Sequence, residues 1–355
     1  MADIDTIPSS LRSCIITDIQ LGRVIGGGAY GRILEAKWEG SVVAVKQIHT
    51  IFEEVNAQEF EILRNKFLME CDRSNRLRHP NIVRFFGIYF PPGARLPNLV
   101  MERLHCSLNH LLERNSVIHL DIKTSILHQI GLGLRYLHTR VPPIIHRDLS
   151  SNNILISKGM EAKIADLGTI RLLDRPNRNS PMSIAPGTQD FMPPEVLVND
   201  PDIKYGKELD VFSFGCIMLH TFSQQWPTPS QHVVTNPVKH KRSEIERRAQ
   251  YLDKVHKVVE DVMVPLIVSC LENFPFDRPT IMEVCDQLET LVVNREQSIP
   301  DNLLQAQLML QEAQSQVERQ ATELHDKDVE MEALRCDMSK MQVTVPHLPP
   351  KQVDY

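Results

Sequence analysis

The period of apolar and polar positions changes several times along this chain, and each change marks an element. Residues 19–25 and 32–38 read as strands, the second alternating through Ile33, Glu35 and Lys37, and Val42-Val43-Ala44-Val45-Lys46 reads as a third. The cluster Gly26-Gly27-Gly28-Ala29-Tyr30-Gly31 separates the first two. Residues 53–77 are polar, contain neither Pro nor Gly, and read as a helix. Residues 99–104 read as a strand that runs into a connector. The longest apolar run, 211–219, is far too short to span a bilayer.

Past residue 294 the pattern becomes that of a long helix. Leu303, Leu310, Val317, Leu324, Met331 and Met338 recur every seven residues. A second seam, Ala306, Ala313, Gln320, Lys327, Leu334 and Met341, is apolar except at Gln320 and Lys327. This spacing predicts a coiled coil over residues 302–341, joined by a linker at 295–301. Such a helix would extend roughly 60 Å at the α-helical rise. It implies a homo-oligomer or a coiled-coil partner. A lone amphipathic helix folded back on the rest of the chain, or a helix formed only with a partner, fits the same pattern. Residues 342–355 read as a Pro-containing disordered tail. Within it Pro346-x-x-Pro349-x-Lys351 has the form of a ligand for a proline-motif reader at 346–351.

The glycine cluster fits G-x-G-x-x-G, a spacing that lets backbone approach phosphates closely. A dinucleotide site would need strand, loop and helix; the strand that follows here favours a phosphate lid. Lys46 closes a β-branched run, where an ammonium needs partners because burying it alone is costly. Phosphates and a helix carboxylate would serve. The predicted helix offers Glu53, Glu54, Glu59, Glu61 and Glu70, and helical spacing does not choose among them.

Downstream stands His146-Arg147-Asp148-Leu149-Ser150-Ser151-Asn152-Asn153, followed by Asp166-Leu167-Gly168. The first matches H-R-D-L-x-x-x-N and the second D-F-G with Leu for Phe. With V-A-V-K at residues 43–46, R-H-P-N-I-V at 78–83, a segment ending Pro193-Pro194-Glu195, Asp210-Val211-Phe212-Ser213-Phe214-Gly215 and Asp277-Arg278-Pro279-Thr280, the order resembles that of a eukaryotic protein kinase. The resemblance runs from about residue 16 to about residue 291, and the style of 78–83 and 277–280 is similar to the tyrosine-kinase-like branch, whose members mostly phosphorylate Ser and Thr.

The resemblance implies a two-lobed α+β fold: a mostly antiparallel small-lobe sheet with one helix, then a mainly helical large lobe, with residues 1–15 as an N-terminal segment and 16–294 as the catalytic domain. It implies ATP and Mg2+ as cofactors and protein substrates as partners. Phosphoryl transfer rests on positioning and charge neutralisation. Asp148 would accept the substrate hydroxyl proton, Lys46 would anchor the phosphates, and Asn153 and Asp166 would be oxygen ligands for Mg2+, a hard cation. Nucleotide contacts are expected from Ile25, Gly26, Gly28, Gly31, Ile33, Ala44, gatekeeper Met101, and the backbones of Glu102 and Leu104. In the family the pairing Glu stands nine residues before the His of the R-H-P-N-I-V run, so the resemblance implies Glu70 as the partner of Lys46, with Glu59 or Glu61 as the fallback. Glu195 would pair with Arg278. His146 reads as a packed structural histidine. Arg147 would meet phosphate on the activation segment, where Ser180 and Ser183 are candidate regulatory sites. Thr188 reads as structural within that segment. Two departures stand out. Ser150 occupies a position usually held by Lys in Ser/Thr kinases, which leaves dual specificity open, and Ser74 replaces an apolar residue expected to pack between the lobes. The rival reading is a weakly active or pseudokinase scaffold that assembles partners through the coiled coil.

Composition narrows the setting. A net charge of −6 with no broad basic patch argues against nucleic acid as a partner, and Lys239-His240-Lys241-Arg242 reads as a solvated loop. Seven scattered cysteines, an odd number, suit free thiols in a reducing compartment. With no apolar N-terminal core and no span, the expected location is cytoplasmic.

Overall fold

The structure, a computed structural model, describes residues 7–28, 31–48, 56–114, 118–166, 189–197, 206–227 and 263–296, with residues 311, 314 and 315. The chain divides into two compact units, Met1–Val293 and Asn294–Tyr355. In the second, Gln311, Gln314 and Ser315 are helical. The heptad seams and the proline tail otherwise fall outside the described residues, as do Ser180, Ser183, Thr188 and the basic run at 239–242.

The first unit opens with a short helix α1 (Ser9–Arg12) and strand β1 (Ile15–Ile16), then β2 (Ile19–Gly28), β3 (Gly31–Trp38), β4 (Ser41–Ile48), helix α2 (Ala57–Arg76), β5 (Phe85–Tyr89) and β6 (Asn98–Glu102). The six strands form one sheet in the order β1-β5-β6-β4-β3-β2. Every pairing is antiparallel except β1 with β5, which is parallel. The sheet is therefore mostly antiparallel, as expected, with one parallel edge strand, and the small lobe carries a second, short helix beyond the single one expected.

The period of two along β3, β4 and β6 divides the sheet into two faces. Leu34, Ala36, Val43, Val45 and Val100 pack on one face with Ile16. On the other, Leu99 joins Phe67, Leu68 and Cys71 of α2 in a second cluster. Among the described side chains of α2, Phe60, Arg64, Phe67, Leu68 and Cys71 are buried at helical spacing, and Phe67, Leu68 and Cys71 pack against the sheet.

The large lobe contains β7 (Cys106–Ser107), α3 (Leu108–Arg114), α4 (Leu120–His138), β8 (Ile154–Ile156), β9 (Ala162–Ile164), α5 (Pro194–Leu197), α6 (Glu208–Ser223), α7 (Met263–Cys270) and α8 (Ile281–Glu296). α6 is buried along nearly its whole length, with Phe212, Phe214, Ile217 and Met218 inside the core. It is the axis on which α4, α7 and the catalytic-loop segment rest. Thr280 and Glu283 close a capping box at the start of α8: the Thr280 N–H donates to Glu283 Oε2 at 2.7 Å.

The segment between α2 and β5 ties the lobes together. Ile164 N donates to Asn81 O at 2.9 Å and Val83 N to Ile164 O at 2.9 Å. The Asn81 amide donates to Ala162 O at 3.0 Å. Gly133 of α4 makes this approach possible, because a Cβ there would lie 2.8 Å from Asn81 O. Among the described residues no helix is long and apolar enough to cross a membrane, and the six described cysteines are free thiols.

Candidate active site

The glycine cluster lies in a hairpin: Gly26 pairs with Ile33, Gly27 with Arg32 and Gly28 with Gly31 across β2 and β3. Strands thus stand on both sides of the loop, which sets aside the dinucleotide alternative. In β4, Ala44 sits opposite Met101 and Lys46 opposite Leu99 and Ile33. Period two puts Ala44 and Lys46 on the same sheet face, which faces α2. Lys46 is buried, and its ammonium meets Asp166 Oδ1 at 2.5 Å. Charged contacts of this kind are the strong ones. Glu70 lies in α2, but its side chain is outside the described set. Glu61, the fallback, is exposed and pairs with Arg64 at 3.6 Å.

The loop from His146 to Asn153 is held from beneath by Asp210, the third residue of α6. Its carboxylate accepts from His146 N and Arg147 N, both at 2.8 Å, and contacts His138 Nε2 at 2.7 Å. Burial pushes the Asp210 carboxyl up, but the His138 hydrogen bond, the charges of His138 and His146, and the Arg147 N–H outweigh it and hold the group below its usual range. The backbone is left-handed at Arg147, whose N–H Asp210 holds, with φ 69°, and again at Asp166, with φ 58°. Left-handed conformations at non-glycine residues cluster where the surroundings over-determine them.

Two bonds to Ala165 align Asp166 with the loop. Ala165 N donates to Asn153 O at 2.8 Å, and His146 Nε2 donates to Ala165 O at 2.7 Å. The carbonyl can only accept, so His146 carries its hydrogen on Nε2. The Asn153 amide nitrogen donates to Asp148 O at 2.7 Å and to Asp148 Oδ2 at 3.0 Å. Its amide oxygen is then the atom with acceptor capacity for a cation. An amide oxygen beside a carboxylate is a hard-oxygen donor set, and it fits Mg2+. Among the described residues there is no cluster of three or more His, Cys, Asp or Glu that could hold a metal ion.

At the connector, Glu102 N donates to Arg84 O at 2.9 Å, so its N–H is committed within the sheet. The Glu102 carboxylate accepts from Arg84 N at 2.6 Å and from Lys163 Nζ at 2.7 Å. Lys163 belongs to β9, so this pair joins the connector to the strand that delivers Asp166. Leu104 is buried beside it and Met101 is half-buried. Ile25 and Ile33 are half-buried near the lid. Ser150 is only 2% exposed: a short hydroxyl is enclosed where a long cation was expected. The expected Glu195–Arg278 pair is present and bidentate, at 2.6 and 2.8 Å.

The structure thus joins Lys46 to Asp166 directly, and ties Asp166 through Ala165 to the loop that carries Asp148 and Asn153. Sequence reasoning missed the role of Asp210, although a lone acid opening an apolar run was a usable signal. It also missed Lys163, Asn81 and residues 7–16. Ser151 and His220 form a further link from this loop to α6, at 2.8 Å.

The sequence pattern of the protein kinase domain matches residues 19–288. The serine/threonine-protein kinase CTR1 of Arabidopsis thaliana is 37% identical over 284 residues, 78% of this chain and 32% of that protein. A probable leucine-rich repeat receptor-like protein kinase of the same plant is 30% identical over 74% of this chain and 23% of its own length. A probable serine/threonine-protein kinase of Dictyostelium discoideum, kinX, is 27% identical over 84% of this chain and 26% of its own length. The chain therefore spans less than a third of the length of each of these relatives.

Proposed function

The chain belongs to the protein kinase family, and from that premise we propose that it transfers the γ-phosphoryl group of ATP to Ser or Thr hydroxyls of protein substrates. The observation that carries the reading is the meeting of Lys46 with Asp166 at 2.5 Å, beside a loop in which Asn153 orients Asp148. Lys46 anchors the phosphates, and the backbone of residues 26–31 covers them. Ile25, Ile33, Ala44, Met101 and Leu104 wall the adenine. Asp148 accepts the proton of the acceptor hydroxyl. Asn153 and Asp166 would hold Mg2+, which when bound neutralises charge on the phosphate oxygens. Asn153 thus has a double role, because its nitrogen positions Asp148 while its oxygen is left for the cation.

The names of the relatives support Ser/Thr acceptors, and Gly187-Thr188 agrees with them. Enclosed Ser150 favours a second reading, a weakly active scaffold in which transfer is slow. Ser180 and Ser183 are the proposed regulatory acceptors, with Arg147 as their phosphate partner. Residues 16–294 form the proposed catalytic domain, and residues 302–341 a coiled coil that brings two copies together and raises their effective concentration. The free thiols support a cytoplasmic location. Radiolabelled ATP with purified full-length chain and a phosphoacceptor-typed peptide array tests the activity. Label on Ser and Thr peptides is expected; label on none, with ATP bound, would leave the scaffold reading. Light scattering of the full chain at tens of micromolar tests the coiled coil, and a strict monomer would refute self-association.

A further inference from the structure

Residues 7–16 precede the point at which the family match begins, yet they are built into the small lobe. Ile7 is 2% exposed and Leu11 0%. Both belong to one apolar cluster with Phe67, Leu68 and Cys71 of α2 and with Phe85, Ile88 and Leu99 of the sheet. Three polar ties accompany them. The Ser10 hydroxyl donates to the Asp72 carboxylate, the Asn75 amide donates to Ser10 O at 3.2 Å, and Cys14 Sγ contacts Asn75 Oδ1 at 3.6 Å. The segment then joins the sheet: Ile88 N donates to Cys14 O at 3.0 Å, and Ile15 lies parallel opposite Ile88. Gly87 is what admits it, because a Cβ there would lie 2.1 Å from Cys14 O. The segment bridges β5 to the part of α2, residues 67–75, that contains Glu70.

We infer that residues 7–16 are a positioning element for transfer, a strut that holds α2 against the sheet so that Glu70 meets Lys46. The inference rests on the kinase reading above. α2 brings Phe67, Leu68 and Cys71 into that cluster and lies beside a sheet whose β1 edge is only two residues long. A helix of this kind takes its stability from packing rather than propensity. Leu11 inserts between α2 and β5, so removing it loosens the helix and not the large lobe.

The test uses the full chain with Leu11→Asp, Leu11→Met and Gly87→Ala, read by amide hydrogen exchange and by steady-state kinetics. In Leu11→Asp, exchange across residues 57–76 is expected to accelerate about 10-fold or more while that of α4 stays unchanged. The same variant should lose about 10-fold or more in kcat with the peptide KM unmoved, the split expected when a transition-state contact is lost. Leu11→Met should retain both properties. A peptide of residues 1–17 added to Leu11→Asp should restore exchange protection and turnover. Gly87→Ala, which displaces Cys14 without touching α2, should follow Leu11→Asp and decides the matter if that variant fails to fold. Unchanged exchange across 57–76 in both variants, or full turnover despite accelerated exchange, overturns the inference. A wild-type chain that transfers nothing overturns the kinase reading instead, and the exchange response alone then decides whether the strut exists.

Discussion

Glu195→Gln is the sharpest perturbation of the large lobe. In the native chain the Arg278 side chain is 0% exposed and that of Glu195 8%, and the two meet through paired bonds of 2.6 and 2.8 Å. Gln keeps the size and one acceptor oxygen, but it removes the countercharge and turns an amide N–H toward a guanidinium N–H. Breaking one side of a buried pair costs about 3–5 kcal/mol, because the remaining charge stays buried. Here Arg278 keeps the carbonyls of Glu272 at 2.8 Å, Glu208 at 3.2 Å and Asn273 at 3.4 Å, and lies 4.8 Å from the Phe212 ring centroid. Those partners put the expected loss near the lower end, about 3 kcal/mol. For a domain of this size that is roughly 6–12 °C in Tm. Arg278→Met should cost a similar amount by stranding the carboxylate. The double variant Glu195→Gln/Arg278→Met buries no charge, so it should be less destabilised than the sum of the single variants by about 2–3 kcal/mol. Thermal and urea melts of the four proteins measure this cycle. A loss under about 1 kcal/mol for Glu195→Gln, or strict additivity, would refute the account of this pair as a mutually neutralised buried unit.

Other consequences follow from the same geometry. Asp148→Asn should lower peptide phosphorylation about 100-fold or more while ATP affinity holds, since Asp148 orients the acceptor and not the nucleotide; parallel turnover and nucleotide-binding assays check it, and unchanged turnover would remove its assigned role. Burial lowers His220 from 6.5 to about 4, so the unfolded chain takes up this proton first as pH falls, and stability should decline between about 6.5 and 4. The loss at pH 5 relative to pH 8 should be about 2 kcal/mol, and His220→Gln should flatten that slope; equal slopes in urea melts would contradict the burial argument. Gly133→Ala would drive a Cβ to 2.8 Å from Asn81 O and 2.9 Å from Ile164 Cδ1, so despite a helix-propensity gain of about 1 kcal/mol it should destabilise the chain by about 1–2 kcal/mol net and speed exchange at the Val83 amide; exchange at that amide as slow as in wild type would show that the clamp between lobes tolerates the methyl.

What the sequence determined by itself is what has a local cause. Alternation and β-branched runs marked β2, β3 and β4, because a strand's two faces are written every second residue. A polar stretch free of Pro and Gly, residues 53–77, marked α2. Lys46, Asp148, Asn153 and Asp166 were legible as a set because transfer chemistry needs those side chains on short, ordered segments. Arg278 and Glu195, far apart along the chain, were joined only by resemblance to a family. The tertiary structure decided what depends on distant partners. Asp210 could have capped α6 alone; the fold instead lays the His146-Arg147 backbone on its carboxylate, with Arg147 at positive φ. Asn81, Gly133 and Lys163 look ordinary until the lobes close around them. Residues 7–16 carry the least signal of all. A four-residue helix and a two-residue strand have no period to read. Their structure comes from the groove between α2 and β5, a surface that exists only once the rest of the lobe has folded.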